Sequence, residues 1–209
     1  MVKSTVRELD SDTKEFNVLG VRNLEIEEHF DSRGSFTEII SKRLLLDNQL
    51  GFFEFAQLNF SVSRKNTFRG IHFSKSIRPQ HKLVMCLEGS ISDFVVDIRI
   101  GSPTYGKVDR FELNSKVKQV IFIPSGCGHG FLAREDNSLV LYAQSLEYSP
   151  SEEFELSAFD ESLKLNIVGM DNLILSNKDR LAPKLESLRS DNFLPLFNPA
   201  ALNENKLHE

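Results

Sequence analysis

The sequence predicts an all-β sandwich or barrel, on three observations. From Phe52 to Tyr148, apolar and polar residues alternate with a period of two, as in strands with one buried face. Turn-forming residues interrupt that run at short intervals: Arg78-Pro79, Gly89-Ser90, Gly101-Ser102-Pro103, Pro124-Ser125-Gly126 and Asp136-Asn137. Phenylalanine is abundant, at 17 residues, and tryptophan is absent; phenylalanine favours strands when it alternates with polar residues.

The elements follow in order. Residues 1–16 read as a polar lead-in and Val18–Glu27 as a first strand. Phe30-Asp31-Ser32-Arg33-Gly34-Ser35-Phe36 reads as a turn, and Ser41–Asn48 as a short helix capped by Ser41. The period-two region divides into the strands Phe52–Val62, Thr67–Phe73, Lys82–Glu88, Ile91–Arg99, Lys107–Leu113, Gln119–Ile123, Gly130–Arg134 and Ser138–Tyr148. After Pro150 the pattern weakens. A helical turn is expected within Ser176–Leu185, and a loosely held tail over 187–209. The main domain is expected over 17–186.

The chain has 209 residues, 40% hydrophobic and 26% charged, which fits one compact domain. Net charge is -5 with no basic stripe, so nucleic acid is not an expected partner. The two cysteines, Cys86 and Cys127, make no disulfide framework and read as buried free thiols of a reducing compartment. Met1–Asp10 carries no apolar signal core, and no apolar run approaches the length of a membrane span. The expected location is the cytoplasm, with no membrane partner.

Strand parity sorts the side chains into faces. In Gln57–Ser63 the polar residues share one face. Taken as a hairpin turning at Gly89-Ser90, Lys82–Glu88 and Ile91–Arg99 place Lys82, Asp93 and Asp97 on one face, with Leu83, Met85, Leu87, Phe94, Val96 and Ile98 on the other. Tyr142 shares a face with Gln144. Two readings are open: solvated outer faces, or the lining of an enclosed cavity. Aspartate is a poor residue for an exposed strand centre, and the opposite faces are apolar enough to pack against another layer, which favours the cavity. Arg69 and His72 have opposite parity; a bulge at Gly70 would reconcile them.

Two motifs put histidines at the edges of such strands, Arg69-Gly70-Ile71-His72-Phe73 and Pro124-Ser125-Gly126-Cys127-Gly128-His129-Gly130-Phe131. Histidine is the side chain best poised for proton transfer near neutrality. Taken singly, His72 reads as a hydrogen-bonded structural residue, His129 as a loop support, Tyr142 as a core residue with a wet hydroxyl, Asp179 as a helix-end carboxylate and Lys82 as a surface lysine.

Together with Lys82-Leu83-Val84, Val96-Asp97-Ile98-Arg99 and Ser102-Pro103-Thr104-Tyr105-Gly106, these motifs resemble the dTDP-4-dehydrorhamnose 3,5-epimerase family of the cupin superfamily. The resemblance runs from Phe30 to Leu185. It implies a jelly-roll cupin barrel with short flanking helices, a homodimer, no cofactor or metal, and a nucleotide-sugar substrate, dTDP-linked, whose 4-keto-6-deoxyhexose is inverted at C3 and C5. It implies His72 as catalytic base paired with Asp179, Tyr142 as general acid and Lys82 near the keto oxygen. Arg69 falls at the diphosphate end, and His129 in the site with Asp93 as its partner. Gln57, Asn59, Tyr148 and Lys178 are implied as substrate contacts. Arg33, Phe36 and Glu38 match nucleotide-contacting residues that in the family reach across the dimer.

Departures from the family pattern at Ser74, Cys127, Glu147 and Leu165-Asn166-Ile167-Val168 touch the pocket wall and leave the proton-transfer set intact. Alternatives at this point are a mono-epimerase, a 3,4-ketoisomerase, a non-catalytic sugar-binding cupin and a metal-dependent cupin. The last lacks the His-x-His half of its motif, since His72-Phe73-Ser74 does not supply it.

Overall fold

A computed structural model describes residues 16–202 except Val168. The lead-in expected over residues 1–16 and the end of the tail, with His208, lie outside the described residues, apart from Phe16.

The strands are β1 (Arg22–Glu25), β2 (Glu28–Asp31), β3 (Gly34–Thr37), β4 (Gln57–Ser63), β5 (Phe68–Ser74), β6 (Lys82–Glu88), β7 (Ser90–Val96), β8 (Val108–Asn114), β9 (Gln119–Ile123), β10 (Gly128–Ala133), β11 (Ser138–Gln144) and β12 (Glu153–Glu155). Short helices flank them: α1 (Lys42–Asp47), α2 (Asn177–Leu181) and α3 (Leu185–Ser190). Two five-stranded antiparallel sheets, ordered β1-β9-β6-β11-β4 and β12-β5-β10-β7-β8, face one another as a cupin-type jelly roll, and β2–β3 forms a separate ribbon. Ser41 caps α1 as expected, its hydroxyl accepting from the Leu44 amide.

Three apolar clusters explain why nearly all residues of β6 and β7 are buried. Between the sheets lie Val84, Cys86, Ile91, Val95, Ile121, Ile123, Phe131 and Val140. On the outer face of the first sheet, Leu83, Met85, Val120 and Phe122 pack under Leu44, Leu45, Leu50 and Phe53. On the outer face of the second, Phe68, Ile71, Phe73, Phe94 and Val96 pack under the C-terminal segment through Leu156, Leu163, Leu185, Leu188 and Leu194.

Two expectations are corrected here. Lys82–Glu88 and Ile91–Arg99 do not form a hairpin: β6 pairs with β9 and β11, while β7 pairs with β8 and β10. The chain crosses between sheets at Gly89, whose φ is +73°. The outward faces of the two strands need different covers, so the strands end in different sheets. Asp97 accordingly leaves the shared face and is buried in a bend, bound by Arg99, Ser102 and Thr104. The tail is not loosely held over its described part, residues 187–202: Leu188, Leu194 and Ala201 are buried, the first two against the second sheet.

Candidate active site

The interior of the barrel is divided. Its β7–β8–β9 side is filled by apolar residues; polar inner-face residues collect on the other side. Across the first sheet, register aligns Gln57, Gln144 and Lys82 in one row, and Asn59, Tyr142 and Val84 in the next. Across the second it aligns Glu155, His72 and His129, and then Arg69, Phe131 and Asp93. His72 and Tyr142 therefore face the interior from opposite sheets.

A β-bulge sets the position of His72. His72 pairs with His129 and Arg69 with Phe131, so Gly70 and Ile71 together oppose Gly130. The bulge flips parity once, and Arg69 and His72 share the inner face while Phe68, Ile71 and Phe73 enter the outer core. Gly70 has φ +122°, and a Cβ there would lie 2.5 Å from the Gly130 Cα, so only glycine fits. Arg69 Nε donates to Ser63 Oγ at 3.0 Å, bridging the sheets at the mouth.

His72 Nε2 lies 2.6 Å from Asp179 Oδ1. Burial alone would raise the Asp179 carboxyl; hydrogen bonds from His72, the Ser176 hydroxyl and the Gly70 amide outweigh it and hold Asp179 below the usual carboxylate range. An ionised Asp179 can only accept, so the His72 nitrogen beside it carries a proton, and in the neutral ring the other nitrogen holds the lone pair. The His72 side chain is 42% exposed, which leaves that lone pair accessible. His129 repeats the arrangement with Asp93 at 2.7 Å, in a more buried setting.

Lys82 is buried, and burial pulls its ammonium below the ordinary lysine value while Glu153 acts in opposition. Gln57 Nε2 donates to Asn59 Oδ1 at 2.8 Å, and the half-exposed Tyr148 donates its amide to Gln57 Oε1 at 2.7 Å. Three inner-face atoms, Ser61 Oγ, Gln144 Oε1 and Asp93 Oδ2, have no hydrogen-bond partner among the described residues. Unsatisfied buried polar groups are costly. Also among the described residues, no set of three or more His, Cys, Asp and Glu is placed to hold a metal ion. A recess of about 310 Å³ lies elsewhere, between residues 74–80, Arg99 and residues 194–202, and none of these proton-transfer groups lines it.

The profile of the dTDP-4-dehydrorhamnose 3,5-epimerase family matches residues 15–187. The chain belongs to the dTDP-4-dehydrorhamnose 3,5-epimerase family. Its relatives include the dTDP-4-dehydrorhamnose 3,5-epimerase of Mycobacterium tuberculosis, 38% identical over 191 residues, covering 87% of this chain and 91% of the relative. The solved M. tuberculosis rmlC epimerase superposes with a TM-score of 0.86 at 36% identity, over 91% of this chain and 97% of that one. A dTDP-6-deoxy-D-glucose-3,5-epimerase from Legionella pneumophila, solved in complex with dTDP-4-keto-L-rhamnose, gives 0.80 at 32% identity, over 87% and 95%.

Within this member of the epimerase family, one chain does not assemble every expected residue. Arg33 sits at the turn of the β2–β3 ribbon, paired with Asp31 at 2.5 Å; Phe36 is 69% exposed on β3, and Glu38 is exposed just beyond it. None of the three bonds to a pocket residue. Lys178 reaches Glu155 at 3.6 Å, beside the His72–Asp179 pair.

Sequence reasoning missed Gln144, Ser61 and Glu153 as site residues. Strand parity placed Gln144 with Tyr142, and Ser61 with Asn59, but no motif marked either as a site residue. Glu153 could not be placed that way, because β12 is three residues long and lies beyond Pro150, where periodicity fades.

Proposed function

We propose that this chain is a cofactor-independent isomerase that inverts C3 and C5 of a dTDP-linked 4-keto-6-deoxyhexose by proton transfer through an enolate. The observation that carries this reading is a carboxylate-oriented imidazole, His72, on one inner face, with a phenol, Tyr142, and an ammonium, Lys82, on the face opposite.

A hydrogen beside a ketone is acidic because the electron pair left behind delocalises onto oxygen. His72 takes that proton on its free ring nitrogen, and Asp179 stabilises the imidazolium that forms. The pair resides on the C4 oxygen as an enolate, opposite the charge of Lys82. Tyr142 returns a proton to the carbon from the other face, inverting it. Bulk water then reprotonates the phenolate and accepts the proton from His72, closing the cycle. The general acid–base step is worth on the order of 10²–10⁴-fold, and the positioned charge at the oxygen adds a comparable electrostatic contribution.

Arg69 at the pocket mouth suits the diphosphate, and Gln57, Asn59, His129, Tyr148 and Lys178 suit the sugar and its linkage. Arg33, Phe36 and Glu38 are read as contacts delivered to the neighbouring protomer of a homodimer. Exposed Leu58, Phe60 and Val62 on β4, and Phe30 and Phe36 on the ribbon, support that assembly. A cytoplasmic location belongs to the same reading; among the described residues, no helix is long and apolar enough to cross a membrane.

Incubation with dTDP-4-keto-6-deoxyglucose in D2O tests the proposal. Deuterium at C3 and C5 is expected, and His72→Ala should lower exchange by on the order of 10²–10⁴-fold. Label at one carbon narrows the activity to a mono-epimerase. Exchange at an undiminished rate in His72→Ala would falsify the assignment of the base.

A further inference from the structure

On the polar side of the interior, Asp93 on β7, Glu153 and Glu155 on β12 and Asp179 on α2 supply four carboxylates, and three are already engaged. Asp93 binds His129 at 2.7 Å, Asp179 binds His72 at 2.6 Å, and Glu155 pairs with Lys178 at 3.6 Å. The fourth, Glu153, pairs in register with Ser74, which puts it on the inner face of β12. Its one hydrogen-bond partner among the described residues is a neutral amide, Gln80 Nε2, at 2.9 Å. Gln80 is itself buried and stands two residues before Lys82.

The Lys82 ammonium has no hydrogen bond or ion pair among the described residues, and the residue is only 9% exposed. The titratable and charged inner-face groups on the neighbouring strand and on β5 and β10 opposite are Tyr142 on β11, His72 and Arg69 on β5, and His129 on β10; β9 presents Ile123. Arg69 and His129 are spoken for by Ser63 and Asp93.

We propose that Glu153, held by Gln80, is a positioning residue for Lys82, supplying the counter-charge that keeps the buried ammonium protonated and aimed at the sugar carbonyl. The catalytic role of Lys82 in this statement rests on the function proposed above; the counter-charge itself does not. A buried ammonium without an opposite charge favours its neutral form, which cannot stabilise an enolate. Glu153 is the charged group that opposes the effect of burial on Lys82.

The test follows the Lys82 side chain directly by NMR of protein labelled at lysine Nζ and Cε, the signal being assigned with Lys82→Met. In Glu153→Gln, which keeps the hydrogen-bonding shape, the Lys82 titration midpoint moves to lower pH. Glu153→Asp restores most of it, and Gln80→Ala gives a smaller shift in the same direction. In turnover, the alkaline limb of kcat moves down in Glu153→Gln, with a loss of roughly 10²-fold where Lys82 has become neutral and little change in KM. A Lys82 midpoint that stays in place in Glu153→Gln overturns the proposal, and a loss of thermal stability without that movement marks Glu153 as merely structural. Because the titration needs no substrate, it decides the matter even if dTDP-4-keto sugars prove not to turn over.

Discussion

At Asp179, hydrogen bonds from an imidazole, a hydroxyl and a backbone amide oppose the cost of burying a carboxylate. The chain meets the same problem at Asp97, where Arg99, Ser102 and Thr104 surround the acid in the interior of a bend. His81 resolves it differently. Its Nδ1 accepts the Ser125 amide at 3.1 Å, its ring stacks on Phe122, and burial lowers its pKa from 6.5 to about 4. Above pH 6.5 the ring is neutral in both folded and unfolded chains, and no penalty arises. Between pH 6.5 and about 4 the unfolded chain binds a proton that the folded chain refuses, so stability falls as pH falls. The total loss is roughly 3 kcal/mol. Chemical denaturation at pH 7, 5.5 and 4 should show it, and His81→Asn, which retains an acceptor for Ser125, should flatten the dependence.

At the scale of elements, β5 and β12 decide what the pocket contains. The clash of parity between Arg69 and His72 was legible in the sequence and required an irregularity at Gly70; the bulge is there, and its amide also binds Asp179. Gly70→Ala puts a methyl group 2.5 Å from the Gly130 Cα at a φ that side chains rarely adopt. We expect a stability loss of about 1–3 kcal/mol, seen as a lower denaturation midpoint. Solvent exchange at the substrate should fall further than that loss accounts for, because the His72–Asp179 distance depends on the bulge. The separation of β6 and β7 into different sheets was not legible. A short Gly-Ser turn between two apolar runs fits both a hairpin and a crossover, and only the separate covers over Leu83–Met85 and Phe94–Val96 distinguish them.

For the whole molecule, most outward sheet surface is covered by the chain itself: α1 and its flanks lie on one sheet and the segment from Leu156 to Leu194 on the other. β4 is the exception. Leu58, Phe60 and Val62 are 52%, 68% and 51% exposed in a row on an edge strand, an arrangement that invites a second copy. Phe60→Asp is expected to yield a folded monomer by light scattering at micromolar concentration, where the parent chain is expected to be a dimer. If Arg33, Phe36 and Glu38 act across the interface, the same variant should bind nucleotide sugar more weakly. A parent chain that runs as a monomer, or a dimeric Phe60→Asp with unaltered binding, would exclude β4 as the interface.

The sequence by itself determined most strands of the two sheets, the shared faces of Gln57 with Asn59 and of Tyr142 with Gln144, and the need for a bulge, because alternation and backbone sterics act over a few residues. Only the tertiary structure decided which strands pair, that Leu188 and Leu194 join the core, and that Glu153 enters the interior from the sheet opposite Lys82. Those outcomes depend on which apolar face finds which cover, a long-range competition in burial that no local window of residues contains.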